Sequence, residues 1–192
     1  MTTNVMIVGV GGQGSLLASK LLGQVLLDKG VQVKVSEVHG MSQRGGSVVT
    51  YVRFGDEVNS PIIDKGQADY IISFEKLEAA RYMENLKLGG TVIVSDQQID
   101  PMPVVTGAAS YPENLAQKMK DAGANVDCFD ALSLALKAGS AKSANIVLMG
   151  RFSTYCKDIS KEEWLAALER CVKPQFLEMN KKAFDLGRET AN

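Results

Sequence analysis

The apolar positions near the start of the chain follow first a strand pattern, then a helical one, then a strand pattern again. Residues 5–8, Val-Met-Ile-Val, form a short apolar run, and leucines and valines then recur at helical spacing up to residue 28. From residue 31 to residue 37 valines alternate with polar residues, which predicts a second strand. Together these elements predict a βαβ unit whose right-handed crossover places its strands parallel.

The same alternation continues along the chain. Ser47 begins a stretch rich in Val, Thr, Tyr and Phe, and later apolar runs are separated by stretches with helical spacing. The pattern predicts strands at 47–54, 69–74, 91–95 and 126–129, and helices at 76–88, 112–123, 131–137 and 144–155.

The end of the chain predicts a helical hairpin. Ser160-Lys161-Glu162-Glu163 is a capping-box pattern before an apolar helix, Pro174 ends that helix, and a last helix is expected at 175–186. Trp164 and Phe184 are interpreted as core residues. The fold class predicted for 1–192 is therefore a single α/β domain with a doubly wound, mostly parallel, Rossmann-like sheet and C-terminal helices at about 160–187.

Composition and charge exclude several classes of protein. The chain has 192 residues, 45% of them hydrophobic, with a formal net charge of −1, so it carries no overall positive field for nucleic acid or an anionic membrane. Recognition of an anion must then be local. The apolar runs are far shorter than the roughly 20 residues that span a bilayer, and no signal-peptide pattern follows Met1. We expect a soluble, cytoplasmic protein.

Cys128, Cys156 and Cys171 are widely spaced, without a C-x-x-C pair or histidines nearby. This spacing does not match the usual frameworks for zinc, iron–sulfur clusters or several disulfides. The three residues are interpreted as buried, inert thiols. We expect no metal site in this chain.

Gly9-Val10-Gly11-Gly12-Gln13-Gly14 is a G-x-G-x-x-G motif between a predicted strand and a predicted helix. Such glycines permit a tight turn, and the amide groups at the start of the helix favour an anion, often a phosphate. Glu37 follows at a spacing that suits an acidic residue on the ribose of a dinucleotide. The motif predicts either a nicotinamide or flavin dinucleotide site or simply close packing of the helix on the strand.

A second glycine-rich loop follows the second strand, at the same predicted edge of the sheet. It contains Ser42, Arg44, Gly45 and Gly46, and we expect it to lie beside the first loop. Arg44 can donate two hydrogen bonds to a carboxylate or phosphate. His39, the chain's one histidine, is interpreted as orienting this loop or contacting a partner, since no nucleophile accompanies it for a general-base role.

Taken together, the first motif and Glu37-Val38-His39-Gly40-Met41-Ser42-Gln43-Arg44-Gly45-Gly46-Ser47-Val48 resemble the gamma subunit or domain of 2-oxoacid:ferredoxin oxidoreductases. The variant is most similar to the small (beta) subunit of indolepyruvate:ferredoxin oxidoreductase. The resemblance extends over about 4–150, and the C-terminal helices are less diagnostic.

This resemblance implies an enzyme that decarboxylates a 2-oxoacid such as indolepyruvate or pyruvate, passes electrons to ferredoxin and forms an acyl-CoA. Thiamine diphosphate and the iron–sulfur clusters would belong to partner subunits, and this chain alone would bind neither. It would contribute a coenzyme A, anion-binding or interface surface and be inactive alone. No catalytic residue is assigned; the candidate binding residues are Gly9, Gly11, Gly12, Gln13, Gly14, Glu37, Ser42, Arg44, Gly45 and Gly46.

Two other functions remain open at this point. One is a stand-alone NAD- or FAD-binding oxidoreductase, which the first glycine motif and Glu37 favour, although no proton donor accompanies them in sequence. The other is a non-catalytic assembly module whose glycine-rich loops dock a partner.

Overall fold

The computed structural model describes residues 2–38 and 46–190, and their centre is a six-stranded sheet. The strands are β1 (Thr2–Val10), β2 (Gln32–Val38), β3 (Ser47–Gly55), β4 (Ala68–Ser73), β5 (Leu86–Ser95) and β6 (Asn125–Phe129). Their order in the sheet is β2-β3-β1-β4-β5-β6.

Five of these strands run in one direction, and β3 runs in the opposite direction. The pairs β1–β4, β4–β5 and β5–β6 are parallel, whereas β3 pairs antiparallel with β1 on one side and β2 on the other. The predicted mostly parallel sheet is confirmed. The first two strands do run parallel as expected, but β3 lies between them, because a short loop after β2 permits only an antiparallel return.

Helices cover both faces of the sheet, so the predicted doubly wound arrangement is confirmed. The helices are α1 (Ser15–Asp28), α2 (Lys76–Arg81), α3 (Met102–Val105), α4 (Leu115–Asp121), α5 (Ala131–Ala138), α6 (Ala144–Ser153), α7 (Lys161–Cys171) and α8 (Leu177–Glu189). Val5 and Ile7 of β1 face one buried cluster with α1, α5, α6, α7 and α8, while Met6 and Val8 face a second cluster with α2 and α4.

Two predicted helices are longer in the sequence pattern than in the structure. The helix expected at 76–88 ends at Arg81, and a 3₁₀ turn then leads into β5, which already starts at Leu86. Leu86 is buried in the cluster below α2, so tertiary burial takes this leucine into the strand. The helix expected at 112–123 is shorter as well, since α4 begins at Leu115.

The C-terminal hairpin consists of α7 and α8, joined by a 3₁₀ turn at Pro174–Phe176. Trp164 and Phe184 are fully buried, with ring centroids 6.0 Å apart, which confirms both as core residues. The main packing partner of α8 is α6. Gly150 and Gly187 let these two helices approach so closely that a Cβ at either position would overlap the backbone of the other helix.

The predicted capping box of α7 is present, and it contains a carboxylate with an altered pKa. The Glu163 carboxylate accepts hydrogen bonds from Lys29 Nζ at 2.9 Å and from Ser160 N at 2.7 Å. These bonds, that of Lys29 first, lower the pKa of Glu163 from 4.5 to about 2. Because the pKa in the folded state is lowered, the stability that Glu163 contributes is present above pH 4.5 and is lost as the pH falls toward 2.

We therefore expect Glu163→Gln to lose less stability than the unchanged protein as the pH falls from 4.5 toward 2. Urea denaturation midpoints of the two proteins are measured at several pH values. The difference between the two midpoints should become smaller as the pH falls. The control is Glu162→Gln, on the same first turn but outside the capping box. A difference that stays constant with pH would contradict the role given to Glu163.

The three cysteines are free and only partly buried, so the prediction of buried thiols is too strong. Burial raises the pKa of each thiol, that of Cys156 to about 12, and the thiols therefore stay protonated at neutral pH.

Between residues 2 and 38 and between 46 and 190, no helix is long and apolar enough to cross a membrane.

Candidate functional site

The first glycine loop lies where β1 ends and α1 begins, at the carboxyl edge of the sheet. Gly9 is still part of β1, and Gly11, Gly12 and Gly14 lie in the turn that follows. Gly12 and Gly14 have φ values of +100° and +90°, which residues other than glycine rarely adopt. Gly14 is the N-cap of α1 and offers no side chain to its first amides. The start of this helix is therefore open to an external acceptor.

The side chain of Gln13 holds the loop against the sheet. Its Oε1 accepts a hydrogen bond from Val10 N at 2.7 Å, and its Nε2 donates to Phe74 O and to Gln97 Oε1, both at 3.1 Å. Gln13 thus joins the residues that follow β1, β4 and β5. Its amide is already in use, so the group that the loop can offer to a ligand is its backbone.

Close approach of neighbouring residues explains two of the glycines. A Cβ at Gly9 would lie 2.8 Å from Phe74 Cδ2. A Cβ at Gly14 would overlap the side-chain amide of Asn145, whose Nδ2 donates to Gly14 O at 3.0 Å. Asn145 Oδ1 also accepts from Ile146 N at 2.8 Å, so this one side chain joins the starts of α1 and α6.

The second glycine loop meets the first at one described contact. Gly11 N donates to Gly46 O at 2.8 Å, and Ser47 pairs with Val10 at the start of β3. The prediction that the two loops are neighbours is confirmed at this point. His39, Ser42, Arg44 and Gly45 lie outside the described residues.

Glu37 lies near the end of β2, where its Oε1 accepts a hydrogen bond from Ser19 Oγ of α1 at 2.8 Å. In a dinucleotide site, the acidic residue ends the strand next to β1. Here β3 separates β2 from β1, so Glu37 is two strands away from the glycine loop. This arrangement differs from the one that suits a ribose between Glu37 and the loop.

Glu75, the N-cap of α2, and Glu78 in its first turn form a buried carboxylate pair that was not anticipated from the sequence. Glu75, 1% exposed, accepts hydrogen bonds from Glu78 N at 2.9 Å, from Ile99 N at 3.3 Å and from the hydroxyl of Tyr111. Glu78 accepts from the hydroxyl of Ser47 and pairs with Arg81 at 3.3 Å. The pair therefore ties the start of β3 and the long connection after β5 to α2.

The environment of this pair changes two pKa values. Burial, reinforced by the charge of Glu75, raises the pKa of Glu78 above its usual range, against the opposing effects of Ser47 and Arg81. Burial and the hydrogen bond to Glu75 raise the pKa of Tyr111, so its phenol stays protonated and donates. Glu75 lies two residues after the end of β4, and the rule that sites gather at the carboxyl ends of parallel strands would have pointed to it.

A cleft of about 540 Å³ opens beside the first glycine loop, between the starts of α1 and α6. Ser95, Lys142 and Asn145 contribute to its wall, and none of them stands out in the sequence. Ser95 could have been found as the last residue of a parallel strand. Within the described part of the chain, no group of three His, Cys, Asp or Glu side chains is placed to hold a metal ion.

Comparison with known proteins decides the family. The family model described as pyruvate ferredoxin/flavodoxin oxidoreductase matches residues 4–190. The chain belongs to this family. Within it, the chain is 43% identical over 192 residues to the indolepyruvate oxidoreductase subunit IorB of Thermococcus kodakarensis, covering 98% of this chain and 95% of that protein. The predicted resemblance to this family, and to the indolepyruvate-type small subunit, is confirmed.

Two solved structures share the fold of this chain. A keto/oxoacid ferredoxin oxidoreductase gamma subunit from Geobacter sulfurreducens is 26% identical, with a TM-score of 0.76 over 100% of this chain and 97% of that one. A 2-oxoglutarate:ferredoxin oxidoreductase from Magnetococcus marinus is 19% identical, with a TM-score of 0.74. The match covers 99% of this chain and 31% of the Magnetococcus marinus chain. The chain is thus a gamma-type component of an oxidoreductase.

Proposed function

We propose that this chain is the small subunit of an indolepyruvate-type 2-oxoacid:ferredoxin oxidoreductase and supplies that enzyme with an anion-binding surface for coenzyme A. The enzyme would convert a 2-oxoacid and coenzyme A into an acyl-CoA and CO₂, and pass two electrons to ferredoxin. Under this proposal 1–192 form one gamma-type domain, and the protein acts in the cytoplasm.

One observation carries the choice of substrate class. The identity of 43% to the IorB subunit of Thermococcus kodakarensis extends over almost the whole of both chains. The IorB subunit of Archaeoglobus fulgidus is 36% identical over 100% of this chain and 96% of its own. Identity at this level and coverage supports assembly into an enzyme of the same kind.

The surface for coenzyme A is proposed at the first glycine loop. The open start of α1 attracts negative charge, and Gly46, which ends the second loop, lies within hydrogen-bond distance of Gly11. Arg44 precedes Gly46 by two positions and would supply a charged donor. The related structure from Magnetococcus marinus contains 2-oxoglutarate, coenzyme A and succinyl-CoA, which makes coenzyme A a reasonable ligand to test.

The thiamine diphosphate and iron–sulfur clusters that such an enzyme needs are proposed to lie on partner subunits. When bound there, they would provide the decarboxylation chemistry and the route for electrons. Apolar side chains exposed on this chain offer a surface to those partners. Met102 and Val105 on α3 are 68% and 65% exposed, and Leu88 at the opposite end of β5 is 93% exposed.

Reconstitution tests the proposal. The purified chain should show no iron–sulfur absorption and no oxidation of indolepyruvate, and activity should appear when it is combined with its thiamine and cluster subunits. Reduction of ferredoxin, dependent on indolepyruvate and coenzyme A, is the measurement. Activity with another 2-oxoacid but not with indolepyruvate would contradict the proposed substrate. Equal activity of the partner subunits with and without this chain would contradict its role as a required subunit.

Arg44→Glu tests the coenzyme A surface in the assembled enzyme. Loss of a charged hydrogen bond costs about 1.5–3 kcal/mol, so the KM for coenzyme A should rise by about 10- to 140-fold while the KM for the 2-oxoacid changes little. Lys34→Glu, on an exposed position near the start of β2 and so at the edge of the sheet opposite the glycine loops, is the charge-matched control. Equal effects of the two substitutions would leave docking as the role of these loops.

A further inference from the structure

The cleft beside the first glycine loop has both polar and apolar lining. Its polar lining includes the backbone of Gly12 and Gly14 and the side chains of Ser95 and Lys142. Its apolar lining includes Leu17 of α1 and Leu148 of α6. A cleft of about 540 Å³ with this mixed lining can take an organic molecule that carries a small charged group.

The polar lining of the cleft favours negative charge. Leu17 N donates to Gly14 O at 3.2 Å, but the amides of Ser15 and Leu16 have no acceptor within their own helix. Gly14 provides no capping side chain, and the first turn contains no acidic residue. Lys142, in the turn before α6, also lines the cleft and pairs with no carboxylate among residues 2–38 and 46–190. Backbone amides and an ammonium group are usual partners of a phosphate.

Ser95 provides an independent sign that a ligand belongs in this cleft. Its side chain is the last of β5, the residue is 2% exposed, and its Oγ has no hydrogen-bond partner in the described part of the chain. Ser73 is likewise the last residue of its strand, β4, but its Oγ donates to Glu75 O at 2.6 Å. Buried hydroxyl groups are normally paired, so the Ser95 hydroxyl is a donor that awaits an acceptor in the cleft.

We propose that this cleft binds the phosphate group of an organic phosphate, held by Ser95 Oγ, Lys142 Nζ and the first amides of α1. The organic part of the ligand then lies against Leu17, Leu132 and Leu148. Asn145 keeps the two helix starts together through its bond to Gly14 O. The proposal rests on the proposed function only in naming coenzyme A as one source of that phosphate; a free nucleotide has the same chemistry.

Binding to the full-length chain and to the assembled enzyme tests the proposal. Inorganic phosphate, ADP and coenzyme A are titrated separately, with calorimetry for affinity and amide NMR shifts of Gly12, Gly14 and Ser15 for location. Lys142→Gln should weaken binding of the organic phosphate about tenfold, as expected for a charged hydrogen bond, and Ser95→Ala about threefold. Lys137→Gln, the same change of charge on exposed α5, is the control and should have no effect.

The outcomes separate this proposal from the proposed function. Tight binding of coenzyme A at these amides supports both, whereas binding of ADP but not coenzyme A supports the phosphate cleft and removes coenzyme A from it. Binding of inorganic phosphate alone, shifts centred elsewhere, or equal loss in Lys137→Gln overturns the cleft. Failure of reconstituted activity leaves these binding results unaffected.

Thermal unfolding of the ligand-free chain checks the state of the Ser95 hydroxyl. Ser95→Ala should leave the Tm unchanged or raise it, because no described partner is lost, whereas Ser73→Ala should lower the Tm by removing the bond to Glu75 O. A lowered Tm for Ser95→Ala equal to that for Ser73→Ala would show that the hydroxyl serves the fold, and would overturn its role in binding.

Discussion

Gly187→Ala is expected to lower the free energy of unfolding by about 3 kcal/mol, at the upper end of the usual cost of overpacking a core. Gly187 lies in α8, and a Cβ there would overlap the carbonyl oxygen of Val147 in α6 and crowd Arg151 N at 3.1 Å. Both neighbours are backbone atoms of a helix, which cannot turn aside as a side chain can. The two helices would have to separate, with loss of packing around Phe184.

Urea denaturation of Gly187→Ala measures this loss, and Gly23→Ala is its matched control. Gly23 is also buried inside a helix, but a Cβ there would meet only Val35 Cγ2 at 3.9 Å. The control substitution should stabilise the protein by about 0.5–1 kcal/mol, because alanine favours the helix over glycine. If both substitutions stabilise the protein, the close packing of α6 on α8 is incorrect.

Gly14→Ala is expected to destabilise the protein by about 3 kcal/mol and to disturb the proposed binding surface as well. Its φ of +90° costs a residue with a side chain about 1–2 kcal/mol. The new Cβ would in addition overlap the amide of Asn145. Asn145 would then have to give up its bonds to Gly14 O and Ile146 N, which join the two helix starts.

Gly12→Ala separates these two causes. Gly12 has a similar φ of +100°, but a Cβ there would have no neighbour within 4 Å. It should therefore cost only the backbone strain, about 1–2 kcal/mol. Combining Gly14→Ala with Asn145→Ala should reduce the added cost of Gly14→Ala to that of Gly12→Ala, as measured by a double-mutant cycle in urea. Equal costs of the two single glycine substitutions would contradict the contact with Asn145.

Local sequence patterns determined the strand–turn–helix unit at the start of the chain. The apolar run in β1, the glycines after it and the helical spacing in α1 are features of neighbouring residues, and they appear in the structure as predicted. The capping box at Ser160 is equally local. The two glycine-rich motifs also sufficed to indicate the family, because they are short stretches of specific sequence rather than contacts across the fold.

Tertiary structure decided which strands are neighbours and what each site residue contacts. The position of β3 between β2 and β1 depends on pairings between distant residues, and it moves Glu37 away from the first glycine loop. Gln13 finds its partners Phe74 and Gln97 only after β4 and β5 have assembled beside β1. The same holds for the early end of α2, where burial of Leu86 outweighs helical spacing.

Position after a strand could have pointed to Glu75 and Ser95, but the contacts of Glu75, Ser95 and Asn145 could not be derived from the sequence. Each is an ordinary polar residue in the sequence, and each acquires its meaning from the groups that surround it at the carboxyl edge of the sheet. Spacing along a chain reports the local conformation of the backbone. Burial, pairing and the absence of a hydrogen-bond partner are properties of groups far apart in sequence, so only the assembled fold decides them.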